Sequence, residues 1–199
     1  MIKLNLTVGD LGTNCYVIAD ENTRKAAVID PGDEAGRIIS AVEDNGLELS
    51  MILITHAHHD HTGALDRLYQ RFNVPVYMHP ADRGGPPQLF YSGDVPTQDI
   101  SDGDTLSLGD ISIKVLNTPG HSMGSCVFLA EDNMFSGDTL FAGSCGRVDF
   151  YGGDASMMME SLKRLAALPG DYGVYPGHMG FSTLERERKT NYYMRELSL

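Results

Sequence analysis

Cysteine is scarce in this 199-residue chain, and its three copies, Cys15, Cys126 and Cys145, lie far apart. No CxxC pair occurs, which excludes a Cys-based zinc knuckle, and an odd, scattered set builds no disulfide framework. Free thiols fit a reducing compartment. Basic residues are in deficit as well: 15 Lys and Arg stand against 27 Asp and Glu, for a formal net charge of −12. Nucleic acids and anionic membranes are met by basic faces, so neither is expected as a partner. Long apolar runs are also missing. None approaches the roughly 20 residues of a spanning helix. The opening MIKLNLTVGDLGTNCYVIAD shows no apolar segment followed by a cleavage site. The expected location is the cytoplasm.

What is present describes a folded protein. Hydrophobic residues make up 42% and charged residues 21%, far from the composition of disordered chains. The length suits one domain over residues 1–199 with a buried core. IKLNLTV, NCYVIAD and KAAVID read as strands, and DPGD (Asp30 to Asp33) breaks the chain. A helix follows over EAGRIISAVEDNG, with Asp33 expected as N-cap and Gly46 as the stop. SMILIT is a short buried strand, TGALDRLYQRF a helix and VPVYMH a strand. Residues 80–103 are rich in Gly, Pro and Asp without a sustained period, and read as one long loop. Leu89, Phe90 and Tyr91 inside it need somewhere to bury, so the loop is expected to act as a lid, with Phe90 and Tyr91 facing substrate.

Strands resume with DTLSLG, ISIKVLNT, SCVFLAE and NMFSGD. DASMMMESLKRLAAL is a helix capped by Asp154, whose Met158, Leu162 and Leu165 stripe faces the core. YGVYPGH is a last strand, and STLERERKTNYYMREL a charged terminal helix. Its Arg186, Arg188, Lys189 and Arg195 alternate with Glu185, Glu187 and Glu196, the pattern of a solvated face. Strand groups alternating with helices predict an α/β or α+β sandwich in a single domain.

Chemistry concentrates in THAHHDHTG, residues 55–63, which holds four of the seven histidines. His56 and His58 follow a strand at a spacing of two, so in an extended segment both side chains point the same way and can grip one ion. Asp60 and His61 come after the chain has turned toward the next helix, and can face a second ion nearby. His121 in NTPGHSMG, Asp138 in SGDTLF and His178 in YPGH each end a strand-like run behind a glycine. Imidazole and carboxylate donors of this kind suit zinc, iron or manganese. His79, in YMHPAD, is read as a packing or loop histidine.

In that order these motifs resemble the metallo-β-lactamase superfamily. Within it they are most similar to the glyoxalase II group (hydroxyacylglutathione hydrolases) and its shorter bacterial relatives, from about residue 2 to 190. The resemblance implies an αββα sandwich with two divalent metal ions, zinc foremost, at one edge of the sheets. It implies one metal held by His56, His58, His121 and Asp138, and a second held by Asp60, His61 and His178, with Asp138 bridging. His59 fills a variable position and is not expected to be a ligand. Asp30 in VIDPGD matches an aspartate that supports the site from behind the ligands.

Two metals sharing a carboxylate lower the pKa of a water between them from about 15.7 toward 7. Asp60 would orient the hydroxide for attack on a carbonyl carbon. A thioester suits this arrangement, because a thiol with a pKa near 8.5 leaves without obligatory protonation. The expected partner is therefore a small-molecule thioester, acted on by a monomer or homodimer.

Arg147 in SCGRVDF matches a basic residue that binds glutathione in the family. The tyrosines expected two residues after it and two after the last metal histidine are Asp149 and Gly180 here. The chain also lacks the additional C-terminal helical region of the longer enzymes. These departures weigh against glutathione as the carrier. The rival reading is a persulfide dioxygenase of the same superfamily, which CGRVDF and LPGDYGVYPGH also resemble, with one iron on His56, His121 and Asp138.

Overall fold

A computed structural model describes residues 1–195 of the chain. The first half runs β1 (Ile2–Val8), β2 (Thr13–Ala19), β3 (Lys25–Ile29), α1 (Ala35–Glu43), β4 (Glu48–Leu53), α2 (His59–Thr62), α3 (Leu65–Phe72), β5 (Val76–Met78) and β6 (Thr97–Asp99). The second half runs β7 (Thr105–Leu108), β8 (Ile111–Asn117), β9 (Cys126–Ala130), β10 (Asn133–Gly137), β11 (Leu140–Phe141), β12 (Ser144–Cys145), α4 (Ala155–Ala166), β13 (Gly173–Pro176), β14 (Ser182–Thr183) and α5 (Leu184–Thr190). Strands β1 to β6 form one mixed sheet in sequence order, and the other is ordered β14-β13-β10-β9-β8-β7. This is the αββα sandwich of one domain that the motifs implied.

Strand periodicity builds the layers. Alternate residues of a strand face opposite sides of its sheet, and β2 is apolar on both. Cys15, Val17 and Ala19 pack outward with Ile38 of α1 and Leu65 and Leu68 of α3. Tyr16 and Ile18 point inward, with Ile29, Leu53, Phe128 and Phe135, to fill the space between the sheets. Strand β9 repeats the pattern. Cys126, Phe128 and Ala130 enter the central layer, while Val127 and Leu129 meet Met158, Leu162 and Leu165 of α4. The Met158 stripe is therefore core, as its spacing predicted.

Several local expectations need correction. Asp33 is not the N-cap of α1: Glu34 takes that place in the left-handed region at φ 53°, and the Asp33 carboxylate accepts from the Glu34 amide. Asp33 stands at a bend, and regular helix begins only at Ala35. Residues 80–103 are not one featureless loop. They contain a 3-10 turn over Pro80–Asp82 and β6, which pairs parallel with β5. A three-residue strand is too short for periodicity to reveal.

The terminal helix stops at Thr190, and residues 196–199, including Glu196, lie outside the described residues. Its face is not simply solvated. Glu187 is buried, accepting from the Gly143 amide at 2.7 Å and from Asn191 Nδ2 at 2.8 Å. Arg188 donates to the carbonyls of Ala166 and Gly170 where α4 ends. Asp154 does cap α4, accepting from the Met157 amide. No helix of the described residues is long and apolar enough to cross a membrane.

Candidate metal centre

Every predicted ligand lies at the same end of the sandwich. His56 and His58 follow β4, His56 at a bend and His58 in extended backbone, and His58 makes an isolated bridge with Phe90. Asp60 and His61 sit on α2, a single turn that swings them away from the first pair. His121 follows β8, Asp138 follows β10 and His178 follows β13. Their donor atoms converge in three overlapping groups: His56, His58 and His121; His56, His61 and Asp138; Asp60, His61 and His178.

The spacings fit divalent cations. Donors about 2.0–2.1 Å from a tetrahedral zinc lie roughly 3.3 Å apart. His121 Nε2 is 3.0 Å from His58 Nδ1, and His178 Nε2 is 3.1 Å from Asp60 Oδ2 and 3.4 Å from His61 Nε2. The Asp138 carboxylate lies between the groups. Its Oδ1 is 3.5 Å from His61 Nε2, while Oδ2 is 3.5 Å from His121 Nε2 and 3.7 Å from His178 Nε2. His56 Nε2 and Asp138 Oδ1 are buried without any hydrogen-bond partner. Such orphans are costly unless something binds them, and a cation would satisfy both.

The imidazoles are aimed from behind. Asp30, buried and held at φ 52°, accepts the Thr55 amide and hydroxyl at 2.7 Å each, and its Oδ2 meets His61 Nδ1 at 2.9 Å. The Thr55 hydroxyl in turn is 3.1 Å from His56 Nδ1. His121 Nδ1 donates to the Arg147 carbonyl at 2.7 Å. Each contact fixes one ring nitrogen and leaves Nε2 free toward the centre. His58 differs, since its Nε2 is buried without a partner against the rings of Phe90 and Phe150.

Protonation follows the same division. Burial, with His61, His121 and His58 alongside, pushes His56 well below its usual range, and burial next to His121 pushes His58 down to about 3. Both are neutral, the form that coordinates metal. Burial also pulls on His61, but the Asp138, Asp30 and Asp60 carboxylates outweigh it and lift the imidazole to about 9. Burial raises Asp60, yet the hydrogen bond from His178 and the charge of His61 hold it below the usual carboxylate range.

Some placements escaped the sequence. Asp82 is buried, and its carboxylate accepts from the Ala57 amide (3.0 Å), the Ser122 hydroxyl (2.8 Å) and the Gly124 amide (2.6 Å). It therefore ties the His56–His58 loop to the His121 loop. Asn14 and Tyr16 of β2 grip the Pro176–Met179 turn that carries His178. Gly177 is required by crowding rather than by a positive φ. A Cβ there would collide with the Asp138 carboxylate and lie 2.6 Å from His61 Cε1.

Other predicted residues are placed less directly. Phe90 is buried against His58, but the Tyr91 hydroxyl is bonded to Asp66 and the Val95 amide, beside α3. The Arg147 guanidinium is paired with Asp149 through two 2.7 Å bonds. His59 is exposed, its Nδ1 on the Leu89 carbonyl, and His79 accepts from the Ala81 amide. Neither belongs to a ligand group.

Residues 8–178 match the model of the metallo-beta-lactamase superfamily. The chain belongs to this superfamily. An uncharacterised protein of Aquifex aeolicus (strain VF5) is 39% identical over 99% of both chains. A hydroxyacylglutathione hydrolase of Alkalilimnicola ehrlichii is 43% identical over 82% of this chain but only 60% of its own length. Among solved structures, ETHE1 from Myxococcus xanthus superposes with a TM-score of 0.86 at 31% identity, covering 100% of this chain and 88% of that one. TTHA1623 in a di-iron-bound form gives 0.85 at 36% identity, covering 96% and 99%. As a member of this superfamily the chain is a metal-binding protein with an enzyme's donor set.

Proposed function

We propose that this superfamily member is a hydrolase using two divalent metals, and that its substrates are thioesters. The observation that carries the reading is the Asp138 carboxylate, with one oxygen toward His61 and the other toward His121 and His178. One group, built on His56, His58, His121 and Asp138, would hold the first metal, and Asp60, His61 and His178 with Asp138 the second. Bound there, the pair supplies Lewis acidity toward a carbonyl oxygen and lowers the pKa of water to about 7.

The chain's own residues do the rest. Asp60 Oδ2, 3.1 Å from His178 Nε2 and 3.3 Å from the Thr13 hydroxyl, is placed to orient the attacking hydroxide. Asp30 holds His61, and the Arg147 carbonyl holds His121. A thiolate leaving group needs no acid, and none is required of the protein. Zinc and iron both suit this donor set, and the di-iron form of TTHA1623 supports iron as an occupant.

A second reading, a persulfide dioxygenase on His56, His121 and Asp138, draws on the likeness to ETHE1. It leaves His58, Asp60, His61 and His178 without a task, which places it second. Metal analysis of the purified protein beside a panel of thioesters and persulfides separates the two. Two metals with thioester turnover are expected; one iron with persulfide-dependent oxygen uptake overturns the proposal. His121→Ala is expected to abolish hydrolysis and leave the circular dichroism spectrum unchanged. Retained turnover would refute the site.

A further inference from the structure

We propose that the apolar wall beside His58 receives an uncharged aryl or alkyl arm of the substrate, so that the preferred thioesters are apolar rather than ionic. This rests on the hydrolase reading above. Phe90 and Phe150 lie 4.7 Å and 5.9 Å from the His58 ring, and Tyr151 meets Phe90 edge-on at 6.1 Å. Met123, two residues past His121, lies alongside Gly152. Tyr151 is 61% exposed and Met123 40% exposed, so the wall continues outward from the buried ligand as uncovered apolar surface. Apolar surface of that kind, beside a buried donor cluster, suits contact with an apolar group of a ligand.

Charge around the centre points the same way. The cation on this wall, Arg147, is paired along one guanidinium edge, through Nε and Nη2, with the Asp149 carboxylate and lies over the Phe150 ring at 3.8 Å. A carboxylate on a carrier would have to share the guanidinium with the Asp149 carboxylate, which already offsets its charge. The groove on the opposite flank, between the β1–β2 turn and α2, encloses about 380 Å³ and is lined by Asp10, Asp33 and Asp60, with no Lys or Arg among its lining residues. Neither flank offers an unpaired cation to an anionic tripeptide thiol. An uncharged arm pays no such desolvation cost on the wall.

The test uses the metal-loaded full chain, with acetyl, hexanoyl and benzoyl thioesters of a small neutral thiol, acetyl thioesters of hexyl and benzyl thiols, and a glutathione thioester. An apolar arm is expected to raise kcat/KM about tenfold over the small acetyl thioester, the scale of burying part of one large side chain. Placing the arm on the acyl or the thiol side identifies which half of the substrate meets the wall. The double variant Tyr151→Ser, Met123→Ser should collapse that ratio to near one. A non-hydrolysable hexyl thioether, titrated calorimetrically, should bind about tenfold more weakly to the same variant.

A preference for the glutathione thioester that Arg147→Gln removes and the double variant leaves intact would overturn the proposal. So would equal thioether binding to both proteins. If no thioester is turned over, the hydrolase reading fails on its own, and the thioether titration still decides the wall.

Discussion

At the scale of single residues, the centre depends on groups that never touch a metal. Asp82 is the clearest case, because its carboxylate collects two backbone amides and a hydroxyl from the two loops that carry His56, His58 and His121. Residues that orient ligands in this way typically contribute 10- to 100-fold to metal affinity or activity. Asp82→Ala is accordingly expected to weaken binding at that group by about 10- to 100-fold. Competition against a chromophoric chelator would measure it, with the Asp60, His61 and His178 group still filled. Equal loss at both groups would assign Asp82 to general folding instead. The candidate donors themselves were legible, because a spacing of two and a glycine before each later one are local patterns, and the family resemblance joined them into one set. Asp82 was not, since HPAD looks like any loop, and two of its three partners are amides that no side chain announces.

Among elements, the strand tips do most of the positioning and leave little slack. Gly177 closes against the Asp138 carboxylate and His61, so Gly177→Ala should cost metal and turnover while far-UV circular dichroism stays unchanged. An alanine variant with full metal content would show that the β13 tip can give way. Helix α5 offers a contrast. Arg188 holds the carbonyls at the end of α4 from a half-buried position, and Arg188→Ala is expected to lower unfolding free energy by about 1–2 kcal/mol, read from denaturant midpoints, with no change in metal content. The sequence marked the long strands and α4 well, because apolar runs and an Asp cap are strong local signals. It missed β6, whose pairing is set by β5, and it read Glu187 as a surface charge although neighbours distant in sequence bury it.

Over the whole molecule, the donors come from both halves: His56, His58, Asp60 and His61 from the first sheet's connections, His121, Asp138 and His178 from the second's. Filling the centre should therefore stabilise the fold as a unit. At free metal a thousandfold above Kd, linkage contributes about 4 kcal/mol, or about 10 °C in Tm for a chain of this size. Calorimetry with and without a chelator would detect it, and an unchanged Tm would mean that the folded chain does not bind metal at that affinity. Strand groups alternating with helices indicated an α/β or α+β sandwich, and the αββα order came from the resemblance that the His and Asp motifs carry. How the two sheets close on one another was not readable, since it depends on Tyr16, Phe128 and Phe135 meeting in the middle. That central layer gives the centre a second use. Its donors come from the connections of both sheets, whose separation is set by a contact surface buried between them, so metal stoichiometry acts as a caliper on inter-sheet distance. Mutations deep in the layer, far from any ligand, should register as lost metal before they register as lost fold.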